Sequence, residues 1–269
     1  MTRLVLHCGL QKTGTTSFHH FVQRNAGALP EGLRILTPEK GTVARAAGRR
    51  SVLWTSAPDD KTRAEFVAAI TDLRQAIEAE VEAGAETVLV SHENLPGAMP
   101  GYWGETRLYP HLEEVIDLLD THLAPFVPEY VFYVREMNGW KRSVHNQAVK
   151  SDGYTGDWDQ FLTETAAYPD WSGFRARLEA VLGDRQHVFA LEDEADASRP
   201  GTQLLQHVGC HEDALGAMTF KPARLNQSLN AGALEFMRQI NAQHLDRVAR
   251  RKVAQLVRDN QALFKTVDP

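Results

Sequence analysis

At 269 residues, 43% hydrophobic and 24% charged, the chain has the composition of an ordinary globular protein and the length for a substantial core. Its formal charge of −6 argues against a protein that lives on nucleic acid or on acidic membranes. Two cysteines, Cys8 and Cys210, give no disulfide framework, and no apolar run approaches the ~18 residues that span a bilayer. The first residues enter an apolar run without a charged-then-apolar leader, so a soluble, cytoplasmic protein is expected.

In chain order, Arg3–Cys8 is the first apolar, β-branched-rich run and reads as a strand, with Cys8 as a small core residue. Leu33–Leu36 is a weaker strand. Lys61–Glu82 repeats Phe66, Ile70, Leu73, Ile77 and Val81 at helical spacing, and Thr87–Ser91 is again strand-like. Arg107–Leu123 carries Leu112, Val115, Ile116 and Leu119 as a helical stripe; Tyr130–Val134 and His187–Leu191 read as strands. Leu245, Val248, Val253, Leu256 and Val257 mark a long closing helix. Short, continuously apolar strands alternating with helices predict a three-layer α/β fold whose mainly parallel central sheet is flanked by helices. No repeat or linker divides the chain, and a single domain over residues 1–269 is expected. Two segments, 94–109 and 151–171, combine Pro, Gly and aromatic residues; they read either as walls of an acceptor pocket or as cover for the core.

The first strand runs into Gly9-Leu10-Gln11-Lys12-Thr13-Gly14-Thr15-Thr16, a Gly-rich turn opening a helix. Such a turn offers consecutive backbone N–H groups and a helix N-terminus to a phosphate. The spacing Gly9…Gly14 is that of the ATP-binding loop G-x-x-x-x-G-K-[ST], but Thr15 stands where that lysine belongs and Lys12 sits inside the loop. The later strands end in Ser91-His92-Glu93 or in Arg135 rather than in a Mg²⁺-binding Asp. A lysine inside the loop can instead neutralise charge on a bridging oxygen of the ligand.

This arrangement, G-x-x-K-x-G-T-T after the first strand, resembles the 5′-phosphosulfate loop of the bacterial-type sulfotransferases that use 3′-phosphoadenosine 5′-phosphosulfate (PAPS). A second match supports it: Tyr130–Val134 leads into Arg135, with Ser143 eight residues on in the next helical stretch. The resemblance implies a P-loop NTPase-like fold and a 3′-phosphate held by Arg135 and Ser143. It also implies that Gly9, Gln11, Lys12, Thr13, Gly14, Thr15 and Thr16 hold the 5′-phosphate end. The chain departs from the family pattern at Glu136-Met137 and at Trp140, where a basic residue is usual and Lys141 and Arg142 stand beside it. His187–Glu192 with Asp193 and the loop Lys221–Leu229 are fainter echoes, the latter offering Arg224 as a further nucleotide donor.

Sulfuryl transfer to an alcohol requires a base near the acceptor hydroxyl. The resemblance places it after the strand at Thr87–Ser91, where His92 and Glu93 both stand; Glu93 is preferred, and neighbours in an extended chain point to opposite sides. The expected function is therefore metal-independent transfer from PAPS to a carbohydrate or small-molecule hydroxyl, leaving 3′,5′-ADP, with Lys12 and Glu93 or His92 as catalytic residues. The alternatives are a P-loop kinase-like phosphotransferase and a nucleotide-binding protein without transfer. His19-His20 read as helix-surface histidines, and Glu192-Asp193-Glu194 as a solvated acidic turn. His207-Val-Gly-Cys210-His211 lacks a second ligand pair for zinc, and no metal is expected. Acceptor identity and oligomeric state are not encoded in any motif.

Overall fold

The computed structural model describes residues 2–196, 199, 201–219, 228–243 and 245–264. The chain forms two compact units: Met1–Ala98, Tyr109–Glu136 and Trp171–Leu225 make the first, and Met99–Leu108, Met137–Asp170 and Asn226–Pro269 the second.

In the first unit five strands form one parallel sheet: β1 (Arg3–His7), β2 (Leu33–Leu36), β3 (Thr87–Ser91), β4 (Glu129–Val134) and β5 (Gln186–Ala190). Their order is β2-β3-β1-β4-β5, with His7 in register with Ser91 on one side and with Val131 on the other. Its helices are α1 (Thr15–Arg24), α2 (Val43–Ser56), α3 (Asp60–Glu82) and α4 (Leu112–Leu123). In the second unit α5 (Met137–Gln147) continues as a π turn over Ala148–Asp152 and is followed by α6 (Trp158–Glu164). The chain returns to the first unit for α7 (Ser172–Leu182), α8 (Thr202–His207) and α9 (Glu212–Ala217), then ends in the second with α10 (Ala231–Asn241) and α11 (Arg247–Asp259).

Alternation along each strand sends successive side chains to opposite faces of the sheet. Val5, Leu89, Val131 and Tyr133 pack on one face against Phe18, Phe21 and Val22 of α1, Leu204 and Leu205 of α8 and Leu215 of α9. Leu4, Leu6, Val88, Val90, Tyr130 and Phe132 are buried on the other, the side of α3, α4 and α7, which pack on one another. The α/β architecture and parallel sheet expected from the sequence are present. Crossovers leave β1 and β3 in opposite directions across the sheet, so their carboxyl ends flank the reversal point where open α/β sheets bind ligands.

Four differences from the sequence reading have physical causes. Helix α2 was not expected, because its buried face is Ala44, Ala47, Gly48, Ser51, Trp54 and Thr55 and shows little apolar periodicity. Helix α4 begins at Leu112 rather than Arg107, since Tyr109 adopts φ 46° and Pro110 follows it. The closing helix is present as α11 and starts at Arg247, after Leu245, and of its expected apolar stripe Val248 and Leu256 are exposed while Val257 is buried. Glu194 is not solvated: it is buried, accepts from Tyr133 Oη (2.5 Å) and from the Gly201 and Gln203 amides (2.9 and 3.3 Å), and so caps the start of α8.

The second unit has its own aromatic core. His145 lies edge-on to Tyr154 and Trp158, with Phe161 5.3 Å away, and its Nε2 is 3.1 Å from the Gly156 carbonyl. Tyr154, Phe161 and Tyr168 are thus cover for a core rather than walls of a pocket.

Candidate active site

The turn between β1 and α1 is shaped by three local constraints. Gly14 caps α1 at φ 93°, and Lys12 holds φ 72°, a left-handed conformation that a lysine adopts only where its surroundings enforce it. A Cβ on Gly9 would lie 2.5 Å from His7 Nε2 and 2.8 Å from Thr15 Oγ1, so the loop passes too close to both for any other residue. Thr13 closes the turn by donating from Oγ1 to the Leu10 carbonyl at 2.6 Å.

What this turn presents is donor-rich. Gly14 supplies no side-chain cap, so the first-turn N–H groups of α1 at Thr15, Thr16 and Ser17 have no intrahelical acceptor. Thr15 is buried and its Oγ1 has no hydrogen-bond partner among the described residues; the same holds for His7 Nε2. Both atoms' residues line one small cavity of about 10 Å³ with Thr13, Gly14, Phe18, Tyr133 and Gly201, room for about one oxygen-sized group.

Behind the turn lies a histidine network that the motif reading missed. His7 Nδ1 is 2.7 Å from Ser91 Oγ, and His19 Nε2 is 2.9 Å from the same hydroxyl. His19 is therefore a buried member of this network, while His20 beside it is exposed. Burial pushes the His7 imidazole down to about 3 and the His19 imidazole to about 4, so both are neutral at physiological pH. The signal in the sequence was positional: His7 and Ser91 close two neighbouring parallel strands.

The two candidate bases differ in surroundings. His92 is buried with its imidazole against α2: a Cβ on Gly48 would fall 2.2 Å from both Cδ2 and Nε2. Its Nδ1 accepts from the Asn94 amide at 3.3 Å and lies 3.6 Å from Glu93 Oε2. Glu93 is only partly buried as a residue. Burial pushes its carboxyl up, but the adjoining His92 and the nearby His19 outweigh this and hold it at about 2. It is a carboxylate throughout the neutral range.

The Gln11 side chain is engaged by the protein: its Nε2 donates to Asn94 Oδ1 (3.0 Å) and to the Gly97 carbonyl (2.9 Å), and its Oε1 accepts from Tyr109 Oη (2.5 Å). It ties the turn to the segment after β3. Arg135 follows β4 in the first unit, its carbonyl accepting from Trp171 Nε1 at 2.7 Å and its Nε buried without a partner among the described residues. Ser143 lies on α5 in the second unit, half-buried. Of its neighbours, Lys141 donates to the Thr165 carbonyl at 2.8 Å and sits over the Tyr168 ring, and Arg142 stacks on Trp158. Arg224 and its loop lie outside the described residues.

At the opposite, amino ends of the strands, Glu129, His187 and His207 bring potential metal-ligand atoms within 4.8 Å of one another. The Arg3 guanidinium already occupies this place, donating to both Glu129 oxygens at 2.7 and 2.6 Å and reaching His207 Nε2 at 2.9 Å. Cys8 and Cys210 are both buried, and among the described residues no helix is long and apolar enough to cross a membrane.

No protein-family model matches the chain, and no curated protein sequence matches it. Among solved structures it is similar to the thymidylate kinase of Candida albicans, with a TM-score of 0.38 and 14% identity over 71% of this chain and 84% of that one.

Proposed function

We propose that the chain is a PAPS-dependent sulfotransferase, with the β1–α1 turn holding the 5′ end of the nucleotide. The observation that carries this reading is the pairing of Lys12 inside the turn with Thr15 at the position of the ATP-loop lysine, where its buried hydroxyl has no partner among the described residues. The α1 N-terminus and Thr15 Oγ1 supply neutral donors to a 5′-phosphate. In the tautomer in which the Ser91 hydroxyl donates to Nδ1, neutral His7 carries its proton on Nε2 and adds a further donor toward the same cradle. Arg135 Nε, buried and without a described partner, suits a second anionic group such as a 3′-phosphate.

In the transfer, the bond from sulfur to the bridging phosphate oxygen breaks as a new bond forms between sulfur and the acceptor oxygen. Lys12 neutralises the charge left on the bridging oxygen, and the Glu93 carboxylate takes the acceptor's hydroxyl proton. Glu93 is preferred to His92 because the His92 ring is closed off by Gly48. The test is transfer of labelled sulfate from PAPS to a panel of carbohydrate and phenolic hydroxyls. Lys12→Ala should reduce it by ~10²–10³-fold, the cost of removing one oxyanion donor. Transfer of labelled phosphate from Mg-ATP, with none from PAPS, would replace this reading by a phosphotransferase.

A further inference from the structure

The second unit holds a concave surface that the loop chemistry does not use. A cavity of about 270 Å³ opens between Tyr102 and Trp103, the π turn after α5, and one side of α11. Among the described residues its lining brings Lys150, Arg250, Arg251 and Arg258 together with one carboxylate, Asp152, in a chain whose net charge is −6. Four cations around one concavity repel each other and together attract an anion more strongly than an open surface would.

The donors are also placed in advance. Arg250 is 8% exposed, donates from Nη2 to the Ser151 carbonyl and stacks over the Trp103 ring with its guanidinium carbon 5.3 Å from the centroid. Lys150 is 4% exposed. Arg251 and Arg258 are exposed, and neither pairs with a carboxylate among the described residues. Arg250, Ala254 and Arg258 follow one another at four-residue spacing along α11, so the small buried Ala254 lies between two arginines whose Cα atoms are about 12 Å apart along the helix axis.

We propose that this cavity is an anion-binding site for a small molecule bearing two or more acidic groups, carboxylate or phosphate, spread along α11. The site is independent of the nucleotide reading of the first unit. The test is calorimetric titration of the whole protein with citrate and with inorganic pyrophosphate, using acetate as the single-charge control. The comparison variant is Arg251→Ser/Arg258→Ser, which changes only exposed side chains and should leave thermal unfolding without ligand unchanged. Saturable binding of either probe, weakened at least tenfold in that variant and screened by salt, is the expected result, and the preferred probe then tells a carboxylated from a phosphorylated ligand. Absence of saturable binding overturns the proposal. So does binding that persists in the double variant and disappears in Lys12→Ala, because it would belong to the β1–α1 turn. Failure of sulfate transfer, with probe binding and its loss in the variant intact, would touch the proposed function alone.

Discussion

His7 and Ser91 close neighbouring parallel strands, and their side chains meet at 2.7 Å, so that His7 turns its Nε2 toward the β1–α1 turn. That contact couples the turn to protonation. His7 and His19 are held neutral in the fold at about 3 and about 4, against an unfolded value near 6.5. Below pH ~6.5 the unfolded chain therefore binds protons that the native chain refuses, and stability should fall as pH drops toward 4. Glu93, held at about 2, adds to the same loss only below about pH 4.5. Urea unfolding at pH 7 and pH 5 should show this slope, and His19→Gln, which keeps a polar group beside Ser91 but cannot titrate, should flatten it. An identical slope in the variant would contradict the assignment.

Gly9 should tolerate no side chain. In Gly9→Ala the new methyl meets His7 Nε2 and Thr15 Oγ1 well inside contact distance, and both residues are buried. A loss of about 1–3 kcal/mol is expected from overpacking, read by chemical denaturation, together with loss of nucleotide binding. An unchanged midpoint would mean that the turn does not hold this shape in solution.

Thr15→Val removes one hydroxyl and keeps the shape of the residue. A hydrogen bond to a charged group contributes about 1.5–3 kcal/mol, so affinity for 3′,5′-ADP, measured by calorimetry, should weaken ~10–100-fold while the unfolding midpoint of the free protein stays where it was. Unaltered affinity would remove Thr15 from the site.

For Glu93→Gln the expected outcome is a fall of ~10²–10⁴-fold in turnover, the range for a general base, with 3′,5′-ADP binding retained. Since the carboxylate is ionised at all neutral pH values, the wild-type rate should have no acid-side inflection between pH 6 and 8. Near-normal turnover in Glu93→Gln would transfer the role to His92.

Much of this architecture is legible in the sequence because it depends on local pattern. All five strands fall within a residue of where apolar runs place them, and the capped helix α3 follows its periodicity. What escaped carries no apolar rhythm or depends on partners far along the chain. Helix α2 buries small residues, which carry no apolar rhythm. Glu194 looks like one of three solvated acids until Tyr133 and the start of α8 are folded onto it. Gln11 occupies a motif position, yet its side chain is consumed by Asn94, Gly97 and Tyr109, about ninety residues away in sequence. The Gly-rich strand-to-helix turn was readable; the histidine pair beneath it was not, because only strand register brings His7, Ser91 and His19 together.

On the proposed function, the β1–α1 turn takes the 5′ end of the nucleotide without the lysine of an ATP loop, and Arg135 selects the 3′-phosphate. The direct measurement is thermal stabilisation of the wild-type protein by 3′,5′-ADP and by Mg-ATP at equal concentration, since a ligand that binds only the folded state raises the unfolding temperature. A clear rise with 3′,5′-ADP, little with Mg-ATP, and loss of the rise in Arg135→Ala are expected. A larger rise with Mg-ATP than with 3′,5′-ADP would contradict the proposed function.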